Sequence, residues 1–379
     1  MRVAFFPSDN DLVSGAFRSM VTLIKILEEN YNVIAKVYLP YDGNGIELLQ
    51  ENNLEYKIIP SYGWTISINE YHSLNKRIKW NIKKVLNNQA KNKIKKELKK
   101  FKPDIVHNNT SWGYIGAKAA FELNIPVVWH IREFLEEDQL RRIWNKKSGY
   151  ALMKKSDKII AISDSINKKY KPLFGNKIQT IYNGIDENKF FSSHDLFKNK
   201  DIKILTVGGL YPGKGHQIVI EALAILKKNG ISNFKYQIVG KGEEEENLRK
   251  QVLRCNLEEN VEFCGFSQDP LPYYQQADIF ILGSVSEAFG RVTVEAMMNG
   301  LLTIGRNSAA TAEILKDNEY GLLFNDEEDL GGILKRIFTK QIEAKDIAEK
   351  GQKYVLKNYT AKKNAEKVFE VYQEILENK

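Results

Sequence analysis

Cysteine is nearly absent: the 379 residues hold two, Cys255 and Cys264. Two thiols cannot build a disulfide framework or a four-ligand zinc site, and a reducing cytoplasm is the expected compartment. No apolar run reaches the ~18–20 residues that a membrane span needs. The first residues, Met1-Arg2-Val3-Ala4-Phe5-Phe6-Pro7, lack the long apolar core and small-residue cleavage site of a signal peptide. There is no repeat of fixed period and no low-complexity tract beyond one lysine run. What is present, 43% hydrophobic and 27% charged residues, is the composition of a soluble globular protein and excludes wholesale disorder. The length predicts two domains.

Charge is unevenly spread. The net charge is +8, yet residues 1–200 carry +12 and the remainder −4. The densest basic stretch runs from Lys76 to Lys102, with Glu97 its only acid. Ile78, Ile82, Val85 and Leu86 fall at helical spacing within it, beside Trp80, as do Ile94, Leu98 and Phe101. A basic amphipathic helix can lie on anionic lipid, although solvated lysines on a surface helix give the same pattern. Nucleic acid is not an expected partner, because no zinc finger or aromatic RNA-binding signature accompanies the charge.

Short apolar strands alternate with amphipathic helices from end to end. Strands are predicted at Arg2–Phe6, Val33–Leu39, Tyr56–Ile59, Asp104–His107, Pro126–Ile131 and Lys158–Ile162, then at Ile202–Val207, Tyr236–Val239, Val261–Phe263, Ile279–Leu282 and Leu301–Ile304. Helices are predicted at Gly15–Glu29, Trp112–Leu123 and Lys214–Lys228. This alternation argues for parallel sheets covered on both faces, an α/β class. The polar, aperiodic stretch Asp186–Asp201 separates the basic part from the acidic part and reads as a linker. The domains are therefore expected at 1–186 and 202–359, joined by 187–201. Ligands on such sheets bind at the carboxyl ends of the strands, and between two of them a cleft is the default site.

Glycine-rich turns follow strands in both halves. Ser14-Gly15-Ala16 precedes the first helix. Val207-Gly208-Gly209-Leu210-Tyr211-Pro212-Gly213-Lys214-Gly215 follows Ile202–Val207. Glycine lets the backbone approach an anion, and the helix beyond offers unpaired N–H groups, while Lys214 stands where its ammonium can meet a phosphate. Alone this is a weak signal, since neither turn is a Walker loop or a full G-x-G-x-x-G. Gly240-Lys241-Gly242 is a similar turn, either an ordinary loop or a floor for a flat base. The strongest pattern is Ser284 to Met297, in which Glu287 and Glu295 lie about two helical turns apart. Carboxylates bind sugar hydroxyls through charge-assisted hydrogen bonds. In isolation the pair reads as two unrelated surface acids, since the chain has 48 acids.

The stretch from Glu287 to Glu295, with Phe289-Gly290 inside and Ala296-Met297 after, resembles the paired-glutamate motif of the retaining glycosyltransferases of family 4. Its neighbours fall in that family's order. Tyr182-Asn183-Gly184-Ile185-Asp186 resembles the turn before the linker, and Val207 to Gly215 the glycine loop with its lysine. Gly240-Lys241-Gly242 followed by Val261 to Phe266 resembles the base-binding stretch, and Ala277-Asp278 the pair opening the donor-site strand. Asn299-Gly300 with Ile304-Gly305 and Thr311-Ala312-Glu313 resembles the following loop. Trp129-His130-Ile131-Arg132-Glu133 resembles the histidine motif of the first half. The likeness covers nearly the whole chain, in collinear order.

The resemblance implies a GT-B fold: two Rossmann-like doubly wound domains facing across a cleft, with a helix in 360–379 returning to the first domain. It implies a donor site for a nucleoside-diphosphate sugar, UDP-sugar favoured, made by Gly15, Gly209, Lys214, Gly240, Gly242, Phe266, Phe289, Gly290, Arg291, Val292 and Glu295. His130, Lys214 and Glu287 are the implied catalytic residues. No cofactor and no metal are expected. Family members often carry arginine where Gly209 stands, and Arg291 is the candidate to supply that missing charge. Ala309-Ala310 stands where many members have glycine. Asp9-Asn10-Asp11, the only Asp-x-Asp, reads as a solvated loop. The implied reaction moves a sugar, with retention, to an acceptor hydroxyl. The basic first domain suggests a lipid-linked acceptor on the inner face of the membrane, in capsule or exopolysaccharide assembly. The alternatives are a nucleotide-sugar epimerase of the same fold, which usually needs more acids and histidines than the five histidines here, and a noncatalytic sugar-binding subunit.

Overall fold

The computed structural model describes residues 1–193, 195–316 and 318–378. They form two compact units, Met1–Gly184 with the segment from Ala361, and Ile185–Thr360. In the first unit the strands are β1 (Arg2–Phe6), β2 (Ile34–Leu39), β3 (Tyr56–Ile58), β4 (Thr65–Ser67), β5 (Ile105–Asn108), β6 (Val127–Ile131), β7 (Arg141–Ile143), β8 (Lys158–Ala161) and β9 (Ile178–Thr180). Seven of them make a sheet in the order β3-β2-β1-β5-β6-β8-β9, parallel throughout. β4 and β7 pair antiparallel outside it.

These strands are apolar on both faces because helices cover both. Val3, Phe5, Val37, Ile105, Val128 and Ile160 pack with Phe17, Met20, Leu23, Ile24 and Leu27 of the helix Gly15–Tyr31. Ser14 caps that helix, its Oγ accepting from the Phe17 N–H. The helix Ala361–Glu377 adds Ala365, Val368, Val371, Tyr372 and Ile375 to the same core. Five apolar or aromatic side chains at helical spacing explain why this distant segment closes onto the first unit.

The lysine run forms one helix, Leu74–Phe101, capped by Ser73. Its second half is anchored by buried Ala90, Ile94 and Leu98. Its first half leaves Leu74, Ile78, Ile82 and Val85 exposed, at 72%, 61%, 56% and 60%. At 100° per residue these four lie on one stripe.

The second unit has β10 (Ile202–Val207), β11 (Phe234–Val239), β12 (Val261–Gly265), β13 (Ile279–Leu282), β14 (Leu302–Arg306) and β15 (Leu322–Phe324), in the order β12-β11-β10-β13-β14-β15. All pairings are parallel. The order turns back at β10, so the loops after β10 and β13 diverge at the point where such sheets hold ligands. Chain entry and exit meet at a bridge between Ile185 and Thr360.

The stretch read as a linker is built into this unit. It contains the helix Glu187–Phe190, capped by the Asp186 carboxylate, and buries Phe190 and Leu196. Asp278, itself buried, accepts the Lys203 N–H at 2.8 Å and the Phe197 N–H at 2.5 Å. Two apolar anchors and one buried carboxylate outweigh the polar composition that suggested a free connector.

Candidate active site

In the second unit the glycine turns interlock. A Cβ on Gly240 would fall 1.8 Å from the Gly208 carbonyl oxygen, and one on Gly215 would fall 1.9 Å from that of Gly283. The turns after β10, β11 and β13 thus touch backbone to backbone. Gly242 lies in the same way against the Leu210 carbonyl, and the Gly240 N–H donates to Gly265 at 2.8 Å. These glycines bring three loops and the end of β12 together at the carboxyl ends of the strands. Their first physical role is loop packing.

Upon this floor stand the charged residues. Lys214 Nζ lies 2.9 Å from Glu287 Oε1, although 73 residues separate them. Both side chains are partly accessible. Arg291 Nη2 lies 3.3 Å from Glu295 Oε1, one turn along the helix Arg291–Met298. Tyr274 donates its hydroxyl to Glu295 Oε2 at 3.2 Å. Glu295 is almost fully buried, so it needs both partners. The loop ends on Gly290, at φ +76°, from which the helix begins. The Ala310 N–H donates to the Glu287 carbonyl, and Ala309 holds a left-handed φ of +43° where glycine is the unstrained residue. Close by in sequence, the Oγ of Ser284 and the Oγ1 of Thr293 and Thr311 are buried without a hydrogen-bond partner among the described residues.

The remaining expected donor residues divide. Phe266 is 49% exposed, with Lys241 Nζ 5.0 Å above its ring. Val292 is partly exposed on the first turn of its helix. Phe289 is buried, with Tyr359 at a ring-centroid distance of 5.9 Å, which is core packing. At Gly209 a Cβ would meet the Tyr211 ring at 2.6 Å, so Tyr211 fills the space that a longer side chain would take. Gly15 belongs to the first unit, as the exposed first residue of its helix.

His130 also belongs to the first unit. It is fully buried near the end of β6, within a polar cluster that interrupts the apolar sheet. Its Nδ1 lies 3.1 Å from Arg132 Nη2 and 3.2 Å from His107 Nε2. His107 Nδ1 in turn lies 2.6 Å from the Tyr372 hydroxyl. Arg132 is fixed by Asn109 Oδ1 at 2.9 Å and Asn183 Oδ1 at 2.5 Å. Burial, then the Arg132 charge, hold both histidines well below the usual imidazole range. Glu133 accepts from the Ser111 N–H at 2.6 Å, from the Ser111 hydroxyl and from the Arg132 N–H at 3.1 Å. Burial outweighs those donors and pushes its carboxyl up to about 7.

His107, Tyr372, Tyr274 and Ser111 were not singled out from the sequence. Only the run His107-Asn108-Asn109-Thr110-Ser111, polar yet placed directly after an apolar strand, could have signalled the buried cluster. Asp9 is not a freely solvated loop residue: it is half-buried, and desolvation raises its carboxyl above the usual range. Among the described residues no group of three or more His, Cys, Asp or Glu is arranged to hold a metal ion.

Comparison with known proteins follows the same division. Residues 51–189 match the family described as Glycosyltransferase Family 4, and residues 187–354 match Glycosyl transferases group 1. An uncharacterized glycosyltransferase of Haemophilus influenzae is 29% identical over 210 residues, 55% of this chain and 58% of that protein. The N-acetylgalactosamine-N,N'-diacetylbacillosaminyl-diphospho-undecaprenol 4-alpha-N-acetylgalactosaminyltransferase of Campylobacter jejuni is 34% identical over 149 residues, 39% of this chain and 40% of that protein. The chain thus spans about half the length of these curated relatives. Among solved structures, Anabaena HepE in complex with UDP superposes with a TM-score of 0.79 at 20% identity, covering 99% of this chain and 100% of that one. That likeness is one of fold.

Proposed function

Because residues 51–189 belong to Glycosyltransferase Family 4 and residues 187–354 to Glycosyl transferases group 1, we propose that this chain transfers a sugar, with retention, from a nucleoside-diphosphate sugar to an acceptor hydroxyl. The observation that carries the proposal is the meeting of Lys214 and Glu287 at 2.9 Å on a glycine-built floor. A cation and a carboxylate within reach of one ligand suit the two ends of a sugar phosphate.

As the sugar–phosphate bond breaks, negative charge grows on the leaving diphosphate. Lys214 and Arg291 neutralise it, helped by the N–H groups at the start of the helix Arg291–Met298. With two fixed cations in that role, no metal is needed. Glu287 accepts hydroxyl protons of the donor sugar, and Glu295, braced by Tyr274, those of the ribose. Phe266 offers a face for the base. UDP is the nucleotide we favour, in keeping with the UDP bound by HepE. The leaving phosphate oxygen takes the acceptor proton, and His130 is the first unit's candidate for contact with substrate.

The acceptor is proposed to be lipid-linked, as the name of the Campylobacter relative implies for that protein, and the product a cell-surface polysaccharide. The exposed apolar stripe on the lysine-rich helix supports a peripheral position on anionic lipid. Among the described residues no helix is long and apolar enough to cross a membrane.

The test is UDP release from UDP-sugars in the presence of a prenyl-diphosphate-linked saccharide. Lys214→Ala is expected to lower kcat/KM by about 10²–10³, the scale of losing one charge-stabilising group. Arg291→Ala should give a comparable loss, and EDTA should change nothing. Normal turnover in both variants would overturn the proposed chemistry.

A further inference from the structure

We propose that Arg132 and His107 are positioning residues that lock His130 as a neutral imidazole carrying its proton on Nε2, with Tyr372 bracing His107. Tyr372 comes from the returning helix Ala361–Glu377 and His107 from β5. The proposal rests on the reading that His130 faces substrate and adds how its chemical character is set.

The polarity of the chain follows from one residue that can only donate. Arg132 has no lone pair to offer, so at 3.1 Å from His130 Nδ1 it requires that nitrogen to be the acceptor. A neutral imidazole has one such nitrogen, which puts the His130 proton on Nε2. His107 Nε2 lies 3.2 Å from the same Nδ1 and must also donate to it. His107 therefore carries its own proton on Nε2, which leaves its Nδ1 as an acceptor. The Tyr372 hydroxyl, 2.6 Å away, donates to it. Each group has one consistent state, set at His130 by Arg132 and carried from there through His107 to Tyr372. All three side chains are fully buried, where neutral forms are favoured, and burial holds the tyrosine hydroxyl protonated.

The chain ends at His130 Nε2, which is buried and has no hydrogen-bond partner among the described residues. An N–H without an acceptor is left able to donate to an oxygen lone pair of substrate. The same arrangement bars His130 from general-base work, since its only lone pair is occupied by two donors.

The first measurement is a long-range ¹H–¹⁵N correlation spectrum of the ¹⁵N-labelled full chain at neutral pH without ligand. Both His107 and His130 should show a protonated Nε2 and a bare Nδ1, with His107→Asn used for assignment. A protonated Nδ1 on His130, or an imidazolium, would overturn the proposal. The second is Arg132→Leu, which removes the donor that sets the polarity. The His130 tautomers should redistribute, and kcat should fall about tenfold with the donor KM nearly unchanged, the pattern of an interaction lost mainly in the transition state. Unchanged tautomers and kcat would count against the lock. Should that variant not fold, the wild-type spectrum still decides. His130→Ala separates the two readings: full turnover there, with the spectrum as described, removes the substrate role of His130 while the tautomer assignment stands.

Discussion

Single residues carry opposite charges here for different reasons. Lys214 and Glu287 pair where both stay partly accessible, whereas Glu295 is buried between Arg291 and Tyr274. Glu133 is a third case. Its carboxyl, pushed up from an ordinary 4.5 to about 7 by burial, binds a proton more tightly in the folded chain than in the unfolded one. Its contribution to stability is therefore complete below the unfolded value and is lost as pH rises through the folded one. Thermal denaturation should show the first unit losing stability between about pH 5 and pH 8, and Glu133→Gln should flatten that slope. A variant with the slope of the wild type would show that Glu133 is ionised throughout.

At the scale of elements, the long lysine-rich helix makes two uses of one periodicity. Ile94 and Leu98 dock it, while Leu74, Ile78, Ile82 and Val85 face outward. Replacing Ile78 and Val85 together with glutamate removes exposed apolar surface without touching the docked half. Sedimentation with anionic vesicles should show binding reduced at least tenfold, on the order of the ~1.5–3 kcal/mol of each lost side chain. The wild type should release as salt is raised. Binding indifferent to both changes would remove the membrane role.

The same scale shows what was legible beforehand. β1, β10 and β13 were read with their exact bounds, because each is an apolar run set off by turn residues. Of the five three-residue strands β3, β4, β7, β9 and β15, only β3 was legible, within Tyr56–Ile59, since so short a run carries little period to detect. Lys214, Glu287 and Glu295 could be named because the segments that hold them resemble motifs of a known family. Tyr372 could not, because its partner His107 lies 265 positions away and only the folded core joins them.

For the whole molecule, the division into units predicts how it fails. The first unit is completed by the last helix, whose Val368, Val371, Tyr372 and Ile375 are buried in its core. Ending the chain before Ala361 removes four such side chains at ~1.5–3 kcal/mol each, comparable to the ~5–15 kcal/mol that holds a typical domain together. Limited proteolysis of that truncation should degrade the first unit and spare 185–360, which has its own core. Loss of both units together would mean that they do not fold separately.

The central claim is that the glycine-built floor of the second unit, with Lys214 and Glu287 above it, receives a nucleoside diphosphate. Hydrogen–deuterium exchange of the full chain with and without UDP tests it most directly. Protection confined to 208–215, 240–242 and 284–295, and weakened by Lys214→Ala, is the predicted result. UDP that leaves those loops exchanging as in the free protein, or protects a different edge of the sheet, would contradict it.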